Sequence, residues 1–180
     1  NLDTLILENG TINAEVVNAG TIEARDWHNP NRNTLSGPLT NTGRLLMRPA
    51  NAINGEGHLV VNTGFTNQGV IELSGTSPSW YGMLTVNNGT LVNAPGAVIT
   101  TTGVAGPSRV INAVIDNRGV IETTLNPLTI NAGAGASVNT GTITLVAGNL
   151  TLNQSGGTFA NPGVITVGAG RWRRATPYRV

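Results

Sequence analysis

One short motif, apolar-x-Asn-x-Gly-x-apolar, recurs along almost the whole chain and restricts its fold more than any other feature. Residues 65–71 (FTNQGVI) and 115–121 (IDNRGVI) are complete copies, and residues 91–98 (LVNAPGAV) are a copy stretched by one residue. The motif asparagines are Asn18, Asn41, Asn67, Asn93, Asn117, Asn139 and Asn161, at separations of 22 to 26 residues. A fixed period of this length indicates a repeat architecture, so each period predicts one coil of a solenoid.

A second, weaker motif, an apolar run that ends in asparagine, lies inside the same period. Its asparagines are Asn62, Asn87, Asn112, Asn131 and Asn153. Each coil then contains three short strands, separated by turns in which Asn and Gly accept the left-handed backbone conformation. Asn side chains stacked from coil to coil can also hydrogen-bond along the axis, as they do in cross-β stacks. The sequence therefore predicts an all-β fold, a right-handed parallel β-helix of seven to eight coils of 22–26 residues, roughly 35–40 Å long.

Alternation of side chains along each strand assigns them to the inside or the outside of this rod. The predicted inward stack is Ile22, Leu45, Ile71, Val98, Ile121, Ile143 and Ile165. Glu23, Glu72 and Glu122 share one outward position but never occupy adjacent coils, which keeps like charges apart. An antiparallel sandwich or barrel is the alternative fold, but it does not explain one motif at a period long enough for three strands.

The composition fits one such domain and excludes several function classes. Only 11% of the residues are charged, and the chain contains no Lys and no Cys. Without Cys there is no disulfide framework and no thiolate chemistry. The formal net charge of +1 gives no field that would favour nucleic acid or an anionic membrane. No apolar run approaches the roughly 18 residues of a membrane span.

The carboxyl end differs in composition from the repeats. We place the solenoid at residues 1–170 and a separate Arg-rich and aromatic tail at residues 171–180. The tail residues of interest are Arg171, Trp172, Arg173, Arg174 and Tyr178. This segment is predicted either to fold over the last coil as a cap or to dock a neighbouring molecule.

The longer loops, between the first and second strands of each coil, carry the unusual residues. Trp27, His28, Trp80 and Tyr81 lie there, and stacking of the coils would bring them to one edge of the rod. Aromatic rings at such an edge can bind a carbohydrate or a partner protein, or they can pack on their own coil. We predict this edge as the ligand-binding or partner-binding surface.

An enzymatic function is not predicted. Polysaccharide hydrolases and lyases on β-helices need clustered carboxylates, whereas Asp occurs only at Asp3, Asp26 and Asp116, in separate coils. Two acids and two histidines (Asp26, His28, Glu56 and His58) are the nearest approach to a metal site, but their spacing is not that of a ligand set. We therefore expect no catalytic residues, no metal and no cofactor.

The repeats resemble the filamentous-haemagglutinin-like and autotransporter-type passenger repeats of bacterial surface and secreted proteins. Residues 159–165 (FANPGVI), which follow residues 150–157 (LTLNQSGG), are the most similar to them, and the resemblance covers about residues 5–168. It implies an extracellular or cell-surface β-helical stalk or adhesin of bacterial origin that has no catalytic residues.

Open solenoid ends expose strand edges and apolar core, which favours stacking on a partner. The expected function is that of a non-catalytic, structural or adhesive solenoid that associates end to end into a fibre or forms part of a longer surface stalk. Its expected partners are further copies of itself and, on the adhesive side, surface glycans or host or matrix proteins. The alternative is a carbohydrate-binding or polysaccharide-cleaving parallel β-helix protein.

Overall fold

The computed structural model describes residues 3–26, 32–51, 55–169 and 172–175. Short runs rich in Val, Ile, Leu and Thr form strands, and Asn, Gly and Ser interrupt them, as expected for β-branched and turn-forming residues. The strands are β1 (Thr4–Glu8), β2 (Thr11–Ile12), β3 (Val16–Asn18), β4 (Thr21–Arg25), β5 (Asn33–Leu35), β6 (Leu39–Asn41), β7 (Arg44–Met47), β8 (Gly57–Val61), β9 (Phe65–Asn67), β10 (Val70–Leu73), β11 (Gly82–Asn93), β12 (Val98–Thr101), β13 (Arg109–Asn117), β14 (Val120–Thr123), β15 (Leu128–Asn131), β16 (Ala136–Asn139), β17 (Thr142–Leu145), β18 (Leu150–Asn153), β19 (Thr158–Ala160), β20 (Val164–Val167) and β21 (Trp172–Ala175). No helix that could span a membrane occurs in these ranges.

The strands stack into a parallel β-solenoid, which confirms the predicted all-β fold. One sheet has eight strands in the order β1-β4-β7-β10-β12-β14-β17-β20, and six of them have a neighbour on both sides. The rod has about six turns, where the motif spacing predicts seven to eight coils.

The second sheet has 13 strands and two rows. One row runs β2-β5-β8-β11-β13-β15-β18-β21. The other contains the strands that lead into the Asn-x-Gly motif, and it joins the first row in the middle of the rod. There β11 and β13 run on without a break, with 12 and nine residues. Three separate strands in every coil therefore stay a prediction, and so does the right-handed sense of winding.

The apolar core follows the predicted inward stack except at one position. The register aligns Ile22, Leu45, Ile71, Ile99, Ile121, Ile143 and Ile165. The prediction that Val98 points inward is wrong. Val98 pairs with Val70 on the outer face and is half-buried, whereas Ile99 is 0% exposed. The motif copy at residues 91–98 shows one extra residue, but the register places two between Asn93 and the inward position. The remaining shift by one residue moves a side chain to the other face of the strand.

The outward glutamates keep the predicted spacing. Leu46 lies between Glu23 and Glu72, and Thr100 lies between Glu72 and Glu122. Glu23 is ion-paired with Arg25 and Arg48, and Glu72 with Arg44 at 2.6 Å. Burial raises the pKa of Glu23, but hydrogen bonds and charge from the two arginines outweigh it and leave the pKa below its ordinary value.

The motif asparagines form one continuous series of hydrogen bonds along the axis. Each Nδ2 donates to the Oδ1 of the asparagine one coil further on, from Asn18 to Asn161, at 2.6 to 2.9 Å. All members except Asn161 are buried. Because a buried amide must be hydrogen-bonded, each asparagine aligns the coil that follows it.

The motif glycines are needed for a different reason from the one predicted. A Cβ on Gly43 would lie 2.1 Å from the Gly20 carbonyl oxygen, and one on Gly69 would lie 2.0 Å from that of Gly43. Close approach between successive coils therefore excludes a side chain there. Among the motif glycines that the structure describes, only Gly96 of the stretched copy has a left-handed backbone, with φ 83°.

Candidate partner-binding surfaces

The structure describes half of the predicted aromatic edge. Trp80 and Tyr81 are both half-buried and immediately precede β11, while Trp27 and His28 lie outside the described residues. The Tyr81 carbonyl accepts a hydrogen bond from the Gly57 amide at 3.1 Å. Burial of the ring raises the pKa of Tyr81, and the neighbouring Glu56 carboxylate, its hydrogen-bond partner, raises it further. The described part of this edge thus consists of two rings, one of which is hydrogen-bonded to an acid.

Hydrogen bonds between successive loops fix this edge. The Thr76 hydroxyl donates to the Asn51 carbonyl at 2.8 Å, and the Val104 amide donates to the Gly75 carbonyl at 2.9 Å. One coil further on, Asn126 is 0% exposed and donates to the Thr102 carbonyl at 2.9 Å. Hydrogen bonds to backbone carbonyls therefore link each loop to the next.

Arg109 is a fully buried cation beneath these loops, and sequence reasoning missed it. Its guanidinium donates to the carbonyls of Thr102, Val104 and Pro107 at 2.8 to 3.1 Å. Burial lowers its pKa to about 10. A Cβ on Gly75 would lie 2.5 Å from Nη2, so this glycine makes room for the guanidinium.

The sequence does contain a signal for Arg109. In the register, Arg109 stands opposite Leu128, and Leu128 stands opposite Leu150, both buried core residues. An arginine in a row of leucines marks a buried polar contact. The contact it makes depends on the loop backbone, which the repeat pattern does not describe.

Of the four residues considered for a metal site, His28 lies outside the described residues. His58 is 1% exposed, and its Nε2 lies 2.9 Å from Thr85 Oγ1. Burial, together with the charge of Arg32, lowers the pKa of His58 to about 4. No group of three or more His, Asp or Glu side chains within the described residues could hold a metal ion.

The second asparagine motif forms two separate series. Asn87 donates to Asn62 at 2.7 Å, but the register places Asn112 opposite Thr85 rather than opposite Asn87. Asn153 donates to Asn131, and Asn131 to Asn112, both at 2.8 Å. The motif predicts that Asn112 pairs with Asn87, and the register differs from this by two residues. A shift by two residues keeps each side chain on the same face of the strand, so the alternation of apolar and polar residues cannot reveal it.

A groove of about 360 Å³ lies between these two series. Its polar lining is Thr85, Asn87, Asn112 and Asn131, and its other lining residues are Val86, Gly89, Ala113, Val114, Ala132 and Gly133. It crosses the outer corner of the coils that contain β11, β13 and β15.

The two ends of the rod leave apolar side chains exposed. Leu5 points inward in register with Ile22 yet is 45% exposed, and it lines a hollow of about 240 Å³. At the other end, Val167 continues the inward row of Leu145 and is 52% exposed. Both end strands, β1 and β20, belong to the same sheet.

Part of the predicted tail continues the solenoid. The backbone of β21, which contains Trp172, Arg173 and Arg174, pairs in parallel with β18. Arg171 and Tyr178 lie outside the described residues. A capping or docking role for the segment stays a prediction.

No protein-family model, no curated protein and no solved structure matches this chain. The solenoid is consistent with a β-helix repeat protein. The narrower resemblance to filamentous-haemagglutinin-like and autotransporter-type repeats stays a prediction, because the stacked coil alone fixes the fold and not the family.

Proposed function

We propose that this chain is a non-catalytic structural or adhesive β-solenoid, of the filamentous-haemagglutinin-like type, which docks end to end on further copies of itself. The observation that carries the proposal is the exposure of inward-pointing core side chains at both ends of one sheet. Leu5 and Val167 belong to rows that are buried everywhere in the middle of that sheet. A copy docked through β1 on β20 would bury both.

The direction of the strands supports a head-to-tail arrangement. All strand pairs of the first sheet are parallel. Pairing β20 of one copy with β1 of the next keeps that direction and satisfies the free backbone groups of both edges. Such a heterologous contact does not close on itself, and repeated addition gives an open filament.

The surroundings of the acidic residues support a structural rather than an enzymatic role. Glu23 and Glu72 are ion-paired with arginines of the same face, and Asp116 is paired with Arg118 at 2.6 Å. Carboxylates held in this way orient strands and are poor candidates for proton transfer in a cleft. An extracellular or cell-surface location belongs to this proposal through the resemblance of the repeats.

Sedimentation velocity and electron microscopy test the assembly. We expect the purified chain to form species that grow with concentration, and filaments with an axial repeat of roughly 38 Å, from eight strands at about 4.8 Å. Val167→Glu places a charge on the exposed end and should leave monomers.

Val104→Glu is the matched control, because Val104 is 46% exposed but lies in the loop between β12 and β13, in the middle of the rod. This variant should assemble like the unmodified chain. Monomers of the unmodified chain at every concentration, or equal loss of assembly in both variants, would contradict the proposal.

A further inference from the structure

We infer that the groove on the outer corner of the rod is a binding site for a neutral carbohydrate. This inference goes beyond end-to-end assembly and does not depend on it. The groove exists because the coil that contains β13 lacks the corner loop that its two neighbours have. Residues 86–89 of β11 lie opposite Ala113 alone, and residues 132–137 lie opposite residues 113–115.

The missing loop leaves the groove between the projecting corners of the two flanking coils. The flanking coils are two strand spacings apart, roughly 9.6 Å. Ala113, which is 4% exposed, lies between them, and Gly89 and Gly133 line the two sides. A Cβ on Gly133 would meet no atom within 4 Å, so the site is open on that side. The volume of about 360 Å³ is within the range of small-molecule sites.

Two of the four polar side chains that line the groove, Asn87 and Asn131, use only part of their hydrogen-bonding capacity. Each Asn side chain can donate two hydrogen bonds and accept two. Asn131 donates one to Asn112 and accepts one from Asn153. Asn87 donates one to Asn62 and receives none from a described residue. Asn87 thus uses one of its four possible hydrogen bonds within the protein and Asn131 uses two, and each keeps a donor and an acceptor for a ligand.

The remaining donors and acceptors of Asn87 and Asn131 suit the hydroxyl groups of a ligand better than an ion. A sugar hydroxyl both donates and accepts, so a pair of neighbouring hydroxyls can use the N–H and the C=O of one amide. The lining contains no ionisable side chain, and an anionic sugar would find no cation to pair with. Neighbouring hydroxyls on an uncharged saccharide therefore fit the groove best.

Side-chain amide spectra test the site directly. Uniformly ¹⁵N-labelled protein is titrated with cellotetraose, maltotetraose, mannotetraose and chitotetraose as neutral probes, and with trigalacturonate and tetra-alanine as comparison arms. We expect at least one neutral tetrasaccharide to shift the Asn87 and Asn131 side-chain NH₂ signals in a saturable way. Asn87→Ala and Asn131→Ala should each weaken that binding at least tenfold.

Each variant has a control that breaks the same hydrogen bond from outside the groove. Asn62→Ala removes the partner of Asn87, and Asn153→Ala removes a partner of Asn131. Both controls should bind within about twofold of the unmodified chain. The inference is overturned if all four neutral tetrasaccharides leave the groove signals unchanged at 20 mM, if trigalacturonate or tetra-alanine shifts them more strongly, or if the controls lose as much binding as the groove variants.

Discussion

At the scale of single residues, the buried asparagines define the coil. Asn67 is 0% exposed, accepts a hydrogen bond from Asn41 at 2.6 Å and donates one to Asn93 at 2.9 Å. Its neighbours Asn41 and Asn93 are 0% exposed too, so solvent cannot reach the groups that Asn67 satisfies. A buried donor or acceptor left without a partner costs about 1–3 kcal/mol. Loss of one asparagine from the series should therefore lower the free energy of unfolding mainly through the partners that it leaves unsatisfied.

We expect Asn67→Ala to lower the free energy of unfolding by about 2–4 kcal/mol, because it leaves both neighbours unsatisfied. Asn161→Ala is the control at the exposed end of the same series, where water can replace the amide, and it should cost less than about 1 kcal/mol. Urea unfolding followed by far-ultraviolet circular dichroism measures both. Similar losses in the two variants would show that burial does not decide the contribution.

At the scale of a strand, the length of one turn decides which side chain enters the core. The stretched motif copy passes through Gly96 with φ 83° and delivers Ile99 rather than Val98 to the inward row. The inward residue lies four residues after Asn67 but six after Asn93, so the turn contains two extra residues where the motif shows only one. Burial shows which of Val98 and Ile99 points inward, because only one face of the strand is buried in the core.

The strand β12 provides a direct comparison of the two neighbours. Ile99→Ala should lower the free energy of unfolding by about 2–5 kcal/mol, since it leaves a cavity in a packed core. Val98→Ala removes a half-buried side chain from the outer face and should cost less than about 1 kcal/mol. Urea midpoints at equal m-values give the comparison. The register would be wrong if Val98→Ala were the more damaging change.

At the scale of the whole molecule, each coil pairs only with the coils beside it. The strand order in the first sheet places β10 and β12 in the middle and β1 and β20 at the edges. In a solenoid, stability is the sum of intrinsic coil terms and interfaces between neighbours. Terminal coils have one interface, so they open at a lower free energy than central ones.

Amide hydrogen exchange should therefore be slowest in β10, β12 and β14 and fastest in β1 and β20. Protection at these two end strands should rise with protein concentration if copies dock end to end, because docking supplies the missing interface. The comparison needs only spectra at a low and a high concentration. Uniform protection along the rod would contradict the additive description of the coils.

The sequence by itself determined the stacked architecture of this protein. The period of the motif gives the length of a coil, the asparagines give the hydrogen-bonded axis, and alternation gives all but one residue of the inward stack. These features are local and repeat in every coil, so a single pattern contains them. The spacing of Glu23, Glu72 and Glu122 is predictable for the same reason.

Only the tertiary structure decided what differs from coil to coil. The two-residue offset between Asn87 and Asn112, the burial of Arg109 under loop carbonyls and the groove over Ala113 each depend on how loops of unequal length lie beside one another. The motif glycines belong here too, because the carbonyl that excludes their side chains comes from the preceding coil. A repeat pattern specifies the features that neighbouring coils share. The groove and the Arg109 site arise where neighbouring coils differ, and they form only when loops of unequal length pack against one another.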